Sequence, residues 1–208
     1  MAKPSYLLID LGAVIYDIDY QKTIDAMSEL FKENLSDFFS KKQQWEQVDA
    51  FEEGKISGKD FCEFLKQTFS SADINNKDIE NAWNALLIGF RESTVAYLET
   101  LSKTTDLFLF SNTNEFHYQE LSQRAGNEFM DRFHACFKTV YLSHTLNQRK
   151  PNVNAFLTIL KKEGLRAEEG LFIDDTIRHV KGAENAGLQT YHFKDGDRLE
   201  DILPKLMF

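Results

Sequence analysis

Asp10 closes the apolar run of IDLGAVIYDID (residues 9–19), and Gly12 stands two places later, where a second Asp would complete a carboxylate pair. A carboxylate in that position can attack an electrophile and carry a covalent intermediate. It can also be a plain turn or cap residue at a strand end. Three more segments raise the same choice. Ser111 and Asn112 follow the apolar DLFLF, Lys150 sits in QRKPN, and Asp174 and Asp175 end GLFIDD. Singly, each has an ordinary role as a helix cap or a solvated side chain. Jointly they supply a nucleophile, an oxyanion donor pair, a cation and a metal clamp. Asp10, Asp174 and Asp175 brought close together would repel, so either they protonate or a cation sits among them. Hard oxygen ligands in that number suit Mg²⁺.

Such a set works only if the chain brings it to one place. SYLLID (5–10), DLFLFS (106–111), the stretch around KTVYLS (138–143), GLFIDD (170–175) and LQTYHF (188–193) read as strands. Helical patterns separate the later ones, over ESTVAYLETLSK, about 113–125, the segment opened by Pro151 and closed by Gly164, and TIRHVKGAENAG with Gly187 as its stop. A terminal helix over DRLEDILPKL is expected to be short or interrupted near Pro204. Strands alternating with helices imply an α/β fold with a parallel sheet covered on both faces. In such sheets reactive groups gather at the carboxyl ends of the strands, which is where Asp10, Ser111–Asn112 and Asp174–Asp175 fall. From about 20 to 88 the periodicity is helical throughout. Met27, Trp83 and a ladder of Phe pack an inserted subdomain there, with Ser57 as an N-cap. The expected division is a core of residues 1–16 and 91–208 and a helical cap of residues 17–90.

Bulk properties exclude several classes. The net charge is −9, and no Lys/Arg run exceeds two residues, which argues against nucleic acid and anionic membrane as partners. No apolar stretch reaches 18 residues, so no transmembrane segment is expected, and the N-terminal apolar run meets Asp10 too early for a signal peptide. Cys62 and Cys136 form neither a disulfide framework nor a zinc spacing, which suits a reducing, cytoplasmic setting. The 18 Phe are accommodated equally by a dense core or by a dimer patch.

The order D-L-G-x-V-I-x-D, F-S-N-T-N, R-K-P and F-I-D-D resembles the four motifs of the haloacid dehalogenase (HAD) superfamily. FEEGKISGKDF is further similar to the branch that includes bacterial α-D-glucose-1-phosphate phosphatases and the phosphatase-like domain of soluble epoxide hydrolases. The resemblance implies a Rossmann-like core with an all-α cap and an Mg²⁺-dependent hydrolysis of a small phosphorylated substrate, such as a sugar phosphate. It implies that Asp10 attacks phosphorus, that Ser111 holds a phosphoryl oxygen, and that Lys150 neutralises phosphoryl oxygens and orients Asp10. Asp175 would ligate the metal directly, with Asp174 beside it and the Gly12 backbone carbonyl completing the protein ligands.

Gly12 departs from the usual second Asp, which protonates the leaving oxygen. A metal-independent 2-haloacid dehalogenase also lacks that Asp, but its fourth motif lacks a pair like Asp174–Asp175. A non-catalytic protein that binds a phosphometabolite is the remaining reading, kept open by Gly12 and by His179, which replaces an Asn usual in the branch. Tyr16, Trp45, Glu52, Lys55 and Arg91 are possible contributors to substrate choice. Trp45 reads more readily as a core aromatic on the amphipathic run KKQQWEQVDAF, and Arg91 equally as a hinge salt bridge or a phosphate or sugar contact. His117, His134, His144 and His192 show no ligand spacing.

Overall fold

The computed structural model describes residues 3–36 and 45–207. In chain order they form β1 (Tyr6–Ile9), β2 (Tyr16–Ile18), α1 (Tyr20–Phe31), α2 (Glu46–Glu52), α3 (Gly58–Thr68), α4 (Asn76–Trp83) and β3 (Leu87–Phe90). There follow α5 (Glu92–Leu101), β4 (Asp106–Ser111), α6 (Glu115–Ala125), α7 (Asn127–Ala135), β5 (Thr139–Leu142), α8 (Ser143–Leu146) and α9 (Val153–Glu163). The chain closes with β6 (Gly170–Asp174), α10 (Ile177–Asn185), β7 (Gln189–His192) and α11 (Leu199–Met207).

Five strands make one parallel sheet in the order β5-β4-β1-β6-β7. Its central strands are continuous apolar runs because both faces are covered. Leu7, Ile9, Leu109 and Ile173 pack on one face, while Leu8, Phe108, Phe110 and Phe172 pack on the other. Chain order reverses on either side of β1, and the register aligns Ile9 with both Leu109 and Ile173. The crevice at that reversal lies beyond the carboxyl ends of β1, β4 and β6. Asp10 and Asp174 are therefore level with one another, and Ser111 lies one residue further along β4.

Helices α1 to α4 share a separate hydrophobic cluster around Met27, Phe31, Phe51, Phe61, Leu65 and Trp83, with Phe51 and Phe61 stacked 4.5 Å apart. Asp19 caps α1 by accepting from the Gln21 amide, and Ser57 and Asp60 form a reciprocal capping box on α3. The helical cap is joined to the α/β core by a two-stranded antiparallel ribbon, β2 with β3. None of the described helices is long and apolar enough to cross a membrane.

Four local expectations change. The helical pattern does not run to 88, because Asn84–Leu86 is one 3₁₀ turn and Leu87–Phe90 pairs with β2. Leu87 is buried and Ile88 exposed, the alternation of a half-buried strand. Pro151 follows a cis peptide bond and lies outside α9, whose N-cap is Asn152. Pro204 sits inside α11 without ending it; burial of Leu199, Ile202, Leu203 and Met207 holds the helix despite the missing donor. Finally, α7 fills a segment for which no element was expected. Of the amphipathic run KKQQWEQVDAF (41–51), residues 41–44 lie outside the described residues.

Candidate active site

Lys150 organises the crevice. Its side chain is fully buried, and Nζ donates to Asp10 Oδ1 at 2.7 Å, to Asp174 Oδ2 at 2.7 Å and to the Phe110 carbonyl at 2.8 Å. The rings of Phe110 and Phe172 flank it, with centroids 5.3 and 5.5 Å from Nζ. Its backbone is fixed from the neighbouring loop: Asn112 Nδ2 donates to the Lys150 carbonyl, and the Lys150 amide donates to Asn112 Oδ1, both at 2.9 Å. The expected donor pair is thereby divided. Ser111 and Asn112 both line the cavity, but the Asn112 carboxamide is committed to holding Lys150. Lys150 lies beneath the site, where it aligns carboxylates.

Asp174 is the most heavily bonded of the acids. Besides Lys150 it accepts from the Thr176 amide at 2.8 Å and from His179 Nδ1 at 3.0 Å. Burial opposes its charge, yet Lys150 and His179 together hold its pKa below the usual carboxylate value. Burial pushes the pKa of His179 down. Asp10 has fewer compensations. Burial raises its pKa to about 8, with Asp174 and Asp175 adding to the rise and Lys150 opposing it. Burial works against the Lys150 ammonium too, but Asp10 and Asp174 outweigh it and keep its pKa raised.

Asp10, Asp174 and Asp175 each offer an oxygen within 4.8 Å of the others. Lys150 pairs with Asp10 and Asp174, and Asp175 adds a third carboxylate within reach of both. Three such oxygens, hard donors only, are the chemistry of a divalent-cation site. The residues present fit such an ion.

A cavity of about 330 Å³ opens above this cluster. Asp10, Gly12, Ser111 and Asp175 line its deep end; Tyr20, Trp45, Glu52 and Trp83 line it from the cap. Tyr16 also reaches the wall. Arg91 does not: its Nε pairs with Asp17 at 2.7 Å and its Nη1 donates to the Val14 carbonyl at 3.1 Å, so it ties the hinge. Lys55 likewise turns away to an exposed pair with Glu53. Trp45 is half-buried at the N-cap of α2, and Trp83 serves both the cap cluster and the cavity wall.

Among the wall residues that were not anticipated are His117 and Arg149. His117 lies parallel to the Trp83 ring at 5.3 Å; its Nδ1 accepts from Asn114 Nδ2 and its Nε2 donates to the Trp83 carbonyl. Burial pushes its pKa down to about 4, so it stays neutral. Arg149 reaches across to the cap, pairing with Asp49 at 2.8 Å and Glu52 at 2.6 Å. Its one sequence signal is the position next to Lys150. Nothing in the local pattern marks His117.

Comparison with known proteins agrees with this geometry. Residues 14–193 match the haloacid dehalogenase-like hydrolase family. A D-ribitol-5-phosphate phosphatase from Bacteroides thetaiotaomicron is 27% identical over 194 residues, covering 91% of this chain and 92% of the relative. A wild-type HAD family enzyme from the same organism, solved in complex with magnesium and inorganic phosphate, superposes with a TM-score of 0.85. It is 25% identical, and the match spans 96% of this chain and 98% of that one. A HAD-like family hydrolase from Porphyromonas gingivalis shares the fold at a TM-score of 0.88 and 24% identity, over 99% and 98% of the two chains.

Proposed function

The chain belongs to the haloacid dehalogenase-like hydrolase family, and from that premise we propose that it is an Mg²⁺-dependent phosphatase acting on a small phosphorylated metabolite, a sugar or alditol phosphate. The observation that carries this reading is the buried Lys150 ammonium 2.7 Å from both Asp10 and Asp174, in a cluster that Asp175 completes. That arrangement aligns one carboxylate for attack and groups three carboxylates where a cation would sit. A dehalogenase has no use for such a cation, so the cluster favours phosphate chemistry. The relative that acts on D-ribitol-5-phosphate supports the substrate class.

In this reading Lys150 holds Oδ1 of Asp10; Oδ2 attacks phosphorus as the ester P–O bond breaks and the alcohol departs, and water then attacks the aspartyl phosphate to release inorganic phosphate and restore the carboxylate. The Ser111 hydroxyl and amides of its loop donate to phosphoryl oxygens. Asp10, Asp175, Asp174 and the Gly12 carbonyl are the groups that would hold Mg²⁺. When bound, the ion supplies positive charge for the phosphoryl oxygens. Phosphoryl transfer asks chiefly for positioning and charge neutralisation, and these residues are placed to give both. Gly12 brings no proton donor, so the proton that the departing alkoxide of a sugar or alditol phosphate needs comes from water, and an acyl leaving group, which departs without one, is the less demanding substrate. Residues 17–90 act as the cap over it. The buried, unpaired Cys62 and Cys136 suit a cytoplasmic enzyme.

The test is phosphate release from D-ribitol 5-phosphate, glucose 1-phosphate, acetyl phosphate and p-nitrophenyl phosphate, with Mg²⁺, with EDTA, and with Asp10→Asn. Turnover that requires both Mg²⁺ and Asp10 is the expected result. Turnover that survives EDTA or the Asp10→Asn change overturns it, as does silence across the panel from folded protein.

A further inference from the structure

Helix α2 faces the cavity through Trp45 at its N-cap and through Val48 and Glu52. The core grips this helix at several points. Asp49 and Glu52 are three apart, hence on one helical face, and Arg149 forks onto both. Ser143, fully buried, accepts from the Thr113 amide at 2.9 Å, and its Oγ lies 2.6 Å from the Glu52 carbonyl and 2.9 Å from that of Thr113. Asn147 donates to the Glu53 carbonyl at 2.9 Å. Gly54, at φ +64°, passes so close to the His144 carbonyl that a Cβ would come within 2.1 Å of it.

Arg149 precedes Lys150. One dipeptide therefore carries two cations with two targets: Lys150 aligns the carboxylate at the floor, and Arg149 aligns the wall opposite. Asn112 clamps the Lys150 backbone between them. Resting on the phosphatase reading, we infer that Arg149 is a positioning residue that sets leaving-group specificity by holding α2 at a fixed distance from Asp10. The Arg149 side chain is only 10% exposed and Glu52 18%, so solvent and salt screen this pairing less than a surface ion pair. Its planar fork serves two carboxylates at once, which a Lys ammonium on a longer, flexible stem does not reproduce.

The consequence is selective. A substrate whose leaving group fills the cap side depends on the wall, whereas one with almost no leaving-group body does not. The experiment compares p-nitrophenyl phosphate with acetyl phosphate in wild type, Arg149→Gln, Arg149→Lys, Glu52→Gln and the Arg149→Gln/Glu52→Gln double variant. For Arg149→Gln the ratio of kcat/KM for p-nitrophenyl phosphate to that for acetyl phosphate falls about tenfold or more, a size set by misplacing bound groups. Arg149→Lys recovers part of the loss, and adding Glu52→Gln to Arg149→Gln costs less than Glu52→Gln alone, because the two are coupled. Equal losses on both substrates, or additive losses in the double variant, overturn the inference.

A second readout does not depend on turnover. The chain has two Trp, so in a Trp83→Phe background emission reports Trp45 alone. Acrylamide quenching of Trp45 rises in Arg149→Gln as α2 leaves the wall. Unchanged quenching overturns the inference even in a protein that hydrolyses neither substrate, the outcome that by itself refutes the phosphatase reading.

Discussion

Replacing Lys150 with Met removes the cation while nearly keeping the shape of its stem. The ammonium is fully buried and satisfies two carboxylates and a carbonyl, at 2.7, 2.7 and 2.8 Å. Removing one partner of a buried ion pair leaves an uncompensated charge and costs roughly 3–5 kcal/mol. For a chain of this length each kcal/mol moves the melting temperature by roughly 2–4 °C, so Lys150→Met lowers Tm by roughly 6–20 °C in EDTA at pH 8. The pH dependence follows from the same groups. Asp10 is already pushed up to about 8 by burial and its acidic neighbours. Without the ammonium, Asp10 and Asp174 both bind protons more tightly in the folded state than in the unfolded chain. A group with a raised folded pKa stabilises most at low pH and loses that contribution as pH rises through the folded value. The gap between variant and wild type is therefore widest at pH 8 and narrows towards pH 5. Circular-dichroism melts from pH 5 to 8 in EDTA measure it. A variant melting within about 2 °C of wild type at pH 8, less than one kcal/mol on this scale, refutes the reasoning. So does a gap that widens as the pH falls.

Other outcomes follow from neighbouring features. In wild type the Mg²⁺-induced rise in Tm is larger at pH 8 than at pH 6, since the ion competes with the proton that Asp10 holds up to about pH 8; thermal scans with and without Mg²⁺ check the order. Gly12→Asp fits with a small shift, because a Cβ there meets only the Ile18 Cδ1 methyl, at 3.3 Å. It raises kcat on alkyl phosphates relative to acetyl phosphate by about tenfold or more, with the 10²–10⁴ that well-placed acid–base help supplies as the ceiling; an unchanged ratio in the folded variant contradicts this. Gly54→Ala meets the His144 carbonyl and a left-handed backbone together. The backbone alone costs about 1–2 kcal/mol, so Tm falls by at least about 2 °C, and a melt matching wild type contradicts it.

Much of this architecture was legible because the informative elements are buried on both faces. YLLI, DLFLF and GLFI are apolar runs that only a covered parallel sheet explains, and each ends in polar residues that the sheet's register then brings together. Asp10, Asp174 and Asp175 meet because of that register, and Lys150 joins them from the loop before α9. What escaped depends on contacts between distant segments. Arg91 faced two open readings, a hinge pair or a substrate contact, and its partner Asp17 lies on the opposite strand of the β2–β3 ribbon, which the helical reading to 88 had hidden. The Asn112 carboxamide was claimed by the Lys150 backbone, a bond that requires two loops to touch. Arg149 and His117 gain their places from cap residues, Asp49 and Glu52 in one case and Trp83 in the other. Local periodicity carries no trace of such pairings.

The central claim is that Asp10 is the nucleophile, and it is tested most directly by trapping what it forms. Wild-type protein mixed with Mg²⁺ and acetyl phosphate is quenched in acid within a turnover, and the peptide containing Asp10 is weighed by mass spectrometry. The account expects one phosphoryl group on Asp10, absent in EDTA and absent in Asp10→Asn. Phosphate release at the wild-type rate from Asp10→Asn, or a phosphoryl group found on another residue, contradicts it.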